Sequence, residues 1–380
     1  MLSEGSHDRL PLARGSTGFA LHPVAGSFVA DSTSFADCDE DATCLAQAFG
    51  NVAFRAGPRA ALALFRARLA TDEAVQAYCH QITHVIGAAA LARNGGNVAR
   101  TFAQGDPVCV SGYYHGILER AFLGATSLRE LVVAARAICG GAALRPRGFL
   151  DYQCTHGLGH GLMVQTGYDL PRALAICARL GTGWDRVACA SGVFMENGNT
   201  SFGVRSPWLD DGDPLQPCPR VRARDRHSCY LRASWRILAT VGWDFADAGE
   251  ICASLGRWAD ACFRGLGRDA VDEARLDPGL VRERCRQTGS GRSQCVLGAA
   301  RTIANAWGAA GIRPAVSFCR SVAWADRRAC FAGVGIVIGM LAPTDAARAA
   351  WCGRIAPMHA RACTEAAIAE VDPTGLRSWG

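Results

Sequence analysis

Apolar positions along this chain fall at helical rather than alternating spacing. Between Ser127 and Ile138, the residues Leu128, Leu131, Val132 and Ala135 share one face; between Arg232 and Val241, so do Ile237, Leu238 and Val241. This is the spacing that lines one stripe of an α-helix. Strict alternation, the mark of half-buried strands, is scarce, and glycine, proline and charged residues fill the breaks. The pattern predicts an all-α fold. The most apolar run, Ala329 to Ala342, is broken by glycines. It falls short of the ~18 apolar residues a membrane span needs, so it is read as a buried helix and no transmembrane segment is expected.

Cysteine turns this helical pattern into a repeat. The pairs Cys177/Cys189, Cys218/Cys229, Cys252/Cys262, Cys285/Cys295, Cys319/Cys330 and Cys352/Cys363 recur every 33 to 41 residues, and Cys139/Cys154 fits with a longer gap. Three residues after the second cysteine stands a glycine: Gly112, Gly157, Gly192, Gly265, Gly298 and Gly333. Glycine inside a helix costs about 1 kcal/mol relative to alanine, so its recurrence predicts a close helix contact. Each unit is read as a helix A ending near the first cysteine, a short turn, and a helix B starting at the second. A disulfide clamps the turn. Stacked units give an all-α solenoid of helical hairpin repeats, open or closing to an α/α toroid, stapled by intra-repeat disulfides. Cys79 and Cys109 stand as second cysteines without a first and are candidates to bridge each other. Cys38 and Cys44 lie close enough to staple an N-terminal cap, although spacing alone leaves the pairing of these four open.

The expected organisation is a flexible leader over 1–36, N-terminal repeats over 37–205, and C-terminal repeats over 206–380, the last two forming one continuous solenoid. An irregular stretch over 197–226 contains Asn-Gly-Asn, Asp-Asp-Gly-Asp-Pro and Pro-Cys-Pro and is a candidate lid. Its Asp210, Asp211 and Asp213 resemble the start of a calcium loop but lack the spaced ligands and closing glutamate.

The 18 cysteines also speak to compartment. Cys-x2-Cys zinc pairs are absent, and reducing compartments rarely keep many disulfides. The chain is therefore expected to be extracytoplasmic, periplasmic or secreted, although no signal peptide is legible in residues 1–30. Hydrophobic residues make up 49% of the chain, enough to build a sizeable core. The formal charge is +6 and all 40 basic residues are arginine. They are spread along the chain, the densest group being Arg220, Arg222, Arg224 and Arg226. Without a basic stripe on a matching module, no nucleic-acid partner is expected.

Five of the nine histidines lie between His80 and His160. His80 and His84 follow Cys79, His115 and Glu119 follow Cys109, and His156 and His160 follow Cys154. Each pair is spaced i, i+4, which puts both side chains on one helix face. Glu196 follows Cys189 in the next repeat, and later repeats replace the ligand-type residues by Trp235, Arg268, Arg301 and Ile336. A requirement of the scaffold would have spread histidine over all repeats. The set His80, His84, His115, Glu119, His156, His160 and Glu196 therefore predicts a local transition-metal site between neighbouring B helices. Carboxylates beside imidazoles favour zinc or iron, while Met163 and Met195 leave copper open. The donors exceed the need of one tetrahedral ion, so two ions, or one ion with acid–base groups, both fit. Glu196 and Tyr114 are the candidate catalytic groups; Glu119 is an alternative base. The glycines at 157, 159 and 161 serve either ligand access or close helix packing. A metalloenzyme, oxidoreductase or hydrolase, is the first functional expectation. A non-catalytic scaffold binding a protein or peptide on its concave face is the second.

Overall fold

The computed structural model describes residues 27–122, 125, 127–139, 148–199 and 205–371. Among these the chain is helical and has no strand. The first half comprises α1 (Ala42–Ala56), α2 (Pro58–Leu69), α3 (Glu73–Ala77), α4 (Cys79–Arg93), α5 (Val98–Phe102), α6 (Val108–Arg120), α7 (Leu128–Ile138), α8 (Phe149–Gln165), α9 (Leu170–Cys177) and α10 (Gly183–Asn199). The second comprises α11 (Ala223–Thr240), α12 (Phe245–Ala253), α13 (Ala259–Glu273), α14 (Pro278–Gln287) and α15 (Arg292–Ala306). It ends with α16 (Ile312–Ser321), α17 (Trp324–Leu341), α18 (Asp345–Ile355) and α19 (Ala360–Val371).

Local chemistry sets the helix starts. Side-chain oxygens of Asp41, Asp72, Ser127, Asp169, Asp244, Asp277 and Thr344 accept from first-turn amides, satisfying donors that a helix leaves open. Those on α7, α9, α12, α14 and α18 open helices that end near a first cysteine. Of the second-cysteine helices, α4 begins at Cys79, whereas α8 and α10 begin ahead of theirs. Cys154 lies in the second turn of α8 and Cys189 in that of α10.

All eighteen cysteines are paired. Seven bonds clamp consecutive elements as the spacing predicts: Cys139–Cys154, Cys177–Cys189, Cys218–Cys229, Cys252–Cys262, Cys285–Cys295, Cys319–Cys330 and Cys352–Cys363. Cys38 pairs with Cys44. The Cys79–Cys109 bond departs from the intra-hairpin rule, tying the start of α4 to the start of α6.

The second-cysteine helices pack side by side in chain order, from α4 through α6, α8, α10, α11, α13, α15 and α17 to α19. The recurrent glycine explains how closely. A Cβ at Gly192 would overlap the His156 carbonyl, one at Gly265 the Leu231 carbonyl, one at Gly298 the Arg264 carbonyl, and one at Gly333 the Leu297 carbonyl. Each glycine thus admits the backbone of the preceding helix. Gly159 and Gly161 meet the Cys189 and Leu118 carbonyls in the same way, so they serve helix packing. The C-terminal half also folds back on the first, α15 touching α6 and α17 touching α8.

Residues 27–36, placed in the leader by the sequence, lie against α1. Phe28 is buried, Phe35 packs edge-on to Phe49, and Asn51 donates to Asp31. Residues 1–26 of that leader, and residues 200–204 of the irregular stretch, fall outside the described residues. The rest of that stretch is pinned to the body: Ser206 donates to Asn197 and the Trp208 indole to the Tyr168 carbonyl. Its acidic group does not converge on a point. Asp210 and Asp213 accept from backbone amides and Asp211 pairs with Arg205.

Candidate metal centre

Four adjacent helices carry the seven residues singled out by spacing: α4 holds His80 and His84, α6 His115 and Glu119, α8 His156 and His160, and α10 Glu196. Close packing at Gly112, Gly116, Gly157 and Gly192 lets these backbones approach, and the seven side chains meet in one buried cluster. Three sets place one donor atom per residue within 4.8 Å of the others: His80/His84/His115, His115/His156/His160 and Glu119/His160/Glu196. All are buried except His80, which is partly covered.

Ring separations fit shared ligation. Imidazoles bound to one ion at about 2.0–2.1 Å put their centroids about 4.5 Å apart at a right angle and about 5.2 Å apart at a tetrahedral one. In the first histidine set the separations are 4.5, 5.3 and 5.5 Å. In the second they are 4.6, 5.0 and 5.2 Å. His84 and His160, which belong to different histidine sets, are 6.0 Å apart.

A proton count along one contact chain is equally informative. His80 Nδ1 lies 2.8 Å from the Cys109 carbonyl oxygen, His80 Nε2 lies 3.0 Å from His84 Nε2, and His84 Nδ1 lies 2.6 Å from Glu119 Oε1. The carbonyl only accepts, so His80 Nδ1 carries a proton and its Nε2 a lone pair. With one proton on His84 for two contacts, either two imidazole lone pairs face each other or a lone pair faces the carboxylate; a second proton on His84, or a metal cation among the rings, resolves the conflict. A second carboxylate acts similarly nearby: His160 Nδ1 donates to Glu196 Oε2 at 2.9 Å and the Tyr168 hydroxyl donates to Glu196 Oε1 at 2.8 Å. That leaves the His160 Nε2 lone pair unpartnered, together with both nitrogens of His115 and Nδ1 of His156. Buried polar atoms are ordinarily satisfied, and leaving one unmade costs about 1–3 kcal/mol.

The surroundings favour the neutral form of three of these imidazoles. Burial, and then the neighbouring His84, push His80 down to about 3. Burial, and then His160, hold His115 well below the ordinary histidine value; burial, and then Arg232, do the same to His156. Neutral imidazole is the form that binds metal. Carboxylate or carbonyl contacts on the Nδ1 atoms of His80, His84 and His160 are the outer-shell arrangement that fixes ring orientation in metal sites.

Tyr114 is engaged elsewhere, against Phe102 and Tyr113, with ring centroids 4.9 and 5.5 Å away. The tyrosine that does reach the cluster is Tyr168, in the turn after α8. It stands outside the repeat positions, so spacing gave no sign of it. Met163 is a core residue. Comparison of the chain with protein-family models, with curated proteins and with solved structures finds no match.

Proposed function

We propose that this chain is an extracytoplasmic metal-binding protein, a solenoid of disulfide-clamped helical hairpins whose N-terminal half holds a transition-metal centre. His80, His84, His115, His156 and His160 are the ligands, while Glu119 and Glu196 orient His84 and His160 from behind. The observation that carries this reading is the convergence of five imidazoles from three helices, with His115 Nδ1 and Nε2, His156 Nδ1 and His160 Nε2 buried and without hydrogen-bond partners. Imidazole donors backed by carboxylates suit zinc, iron and copper. A scaffold with incidental histidines would scatter them or point each at a backbone carbonyl.

Burial of the centre confines its chemistry to small molecules. His80, the least covered ligand, is held by the Cys109 carbonyl, and Cys109 lines a cavity of about 620 Å³ with Cys79, Asp272, Arg275, Leu276 and Trp307. This cavity, between the two halves of the chain, borders the Cys79–Cys109 disulfide beside His80. The test is elemental analysis of the oxidised, tag-free protein beside a His84→Ala/His160→Ala double variant. Stoichiometric zinc, iron or copper in the parent, lost from a still-folded variant, is expected. A parent that carries no ion and takes none up overturns the reading.

A further inference from the structure

His115 differs from the other four imidazoles. It lies on α6, between α4 and α8. It is the one residue shared by the two all-histidine sets, His80/His84/His115 and His115/His156/His160. Its ring stands 5.3 and 5.5 Å from His80 and His84, and 5.0 and 4.6 Å from His156 and His160. His80 and His160 each commit Nδ1 to a carbonyl or carboxylate oxygen, and His84 Nδ1 lies 2.6 Å from Glu119 Oε1. Neither nitrogen of His115 has a hydrogen-bond partner, and both are buried.

The two nitrogens of an imidazole point away from each other, so one ring cannot offer both to a single ion. A neutral ring also offers only one lone pair, leaving its N–H without an acceptor here. Both difficulties disappear if the proton leaves and each nitrogen binds an ion. We propose that His115 is a bridging imidazolate between two metal ions, one completed by His80 and His84, the other by His156 and His160. This rests on the metal-binding reading above. Forming the bridge breaks the His115 N–H bond, passes that proton to solvent, and makes one nitrogen–metal bond on each side of the ring; no electron is transferred. With bonds of about 2.0–2.1 Å on opposite sides of one ring, the ions stand about 6 Å apart. That spacing assigns His84 and His160 to different ions.

Copper(II) is the probe, because two copper(II) ions joined through an imidazolate couple their spins. The metal-free, disulfide-intact full chain is loaded with one and then two equivalents of copper(II) and followed by electron paramagnetic resonance. The result expected is two ions bound per chain with nearly all of the signal lost at the second. His84→Ala and His156→Ala, each removing one half-site, are expected to bind one copper(II) with a full one-spin signal. Their circular dichroism checks that the helices persist. Two bound ions with two undiminished spins, saturation at one ion, or a coupled pair surviving in His115→Ala each overturn the bridge and leave the metal-binding reading standing. Failure to take up any ion overturns both.

Discussion

Replacing Glu196 by glutamine exchanges one oxygen for an amino group of nearly the same size, yet it disturbs a buried proton. Glu196 is fully buried; Oε2 accepts from His160 Nδ1 at 2.9 Å and Oε1 from the Tyr168 hydroxyl at 2.8 Å. Glutamine has one acceptor oxygen and two N–H donors. If its oxygen keeps Tyr168, its amino group faces His160 Nδ1, which must become the lone pair. The imidazole proton then moves to Nε2, the atom aimed at the ion. If its oxygen keeps His160, the Tyr168 hydroxyl proton loses its acceptor and the anionic partner of the ligand is gone. Changes to such outer-shell partners typically cost about 10–100-fold in metal affinity, or about 1.4–2.7 kcal/mol. Competition against a chromogenic chelator measures that affinity, and circular dichroism checks the fold. A folded Glu196→Gln protein that binds as tightly as the parent refutes the assigned role of Glu196.

Three further outcomes follow from particular contacts. Tyr168→Phe removes the donor to Glu196 Oε1 but leaves His160 paired. It should lower stability by about 1–3 kcal/mol and metal affinity by less than Glu196→Gln, as denaturant melts and the same titration would report; equal losses in affinity would contradict the separation of roles. Opening the Cys177–Cys189 bond with serines releases a loop of 12 residues and should cost about 3 kcal/mol in urea unfolding; no loss of stability would contradict the clamp. His80, His115 and His156 are held below the ordinary value of 6.5. The unfolded chain therefore takes up their protons before the folded one does. Metal-free protein should be most stable above about pH 6.5 and weaken by up to ~1.4 kcal/mol per pH unit and histidine as pH falls towards about 3. Stability that is flat or rising over that window would show the imidazoles are not buried neutral.

Much of the fold was legible because its signals are local. Cysteine spacing marked the hairpins, since each bond from Cys139–Cys154 to Cys352–Cys363 closes only 10 to 15 residues. The glycine three residues later marked the close contact, as Gly192 on the His156 carbonyl illustrates. The i, i+4 histidines marked the centre because successive helices sit in register. Other features were hidden for physical reasons. Helix starts follow caps, not cysteines: Thr182 Oγ1 accepts from the Asp185 amide while Asp185 accepts from the Thr182 amide, opening α10 ahead of Cys189. Tyr168 reaches Glu196 from a turn with φ of 62°, a position no helical period includes. The contacts of α15 with α6 and of α17 with α8 join elements far apart in the chain, and spacing reports only nearest neighbours. Arg232, whose charge helps hold His156 neutral, comes from α11, which contributes none of the seven clustered residues, and no spacing ties it to them.

The central claim is that an ion sits among the imidazoles of α4, α6 and α8. Anomalous diffraction from crystals of metal-loaded protein, recorded on both sides of the metal absorption edge, tests it most directly. The account predicts density within about 2.0–2.2 Å of the ring nitrogens, with His115 contacting it and the Nδ1 atoms of His84 and His160 still turned towards Glu119 and Glu196. Anomalous peaks only at surface residues, with His115 hydrogen-bonded to protein through both nitrogens, would contradict it.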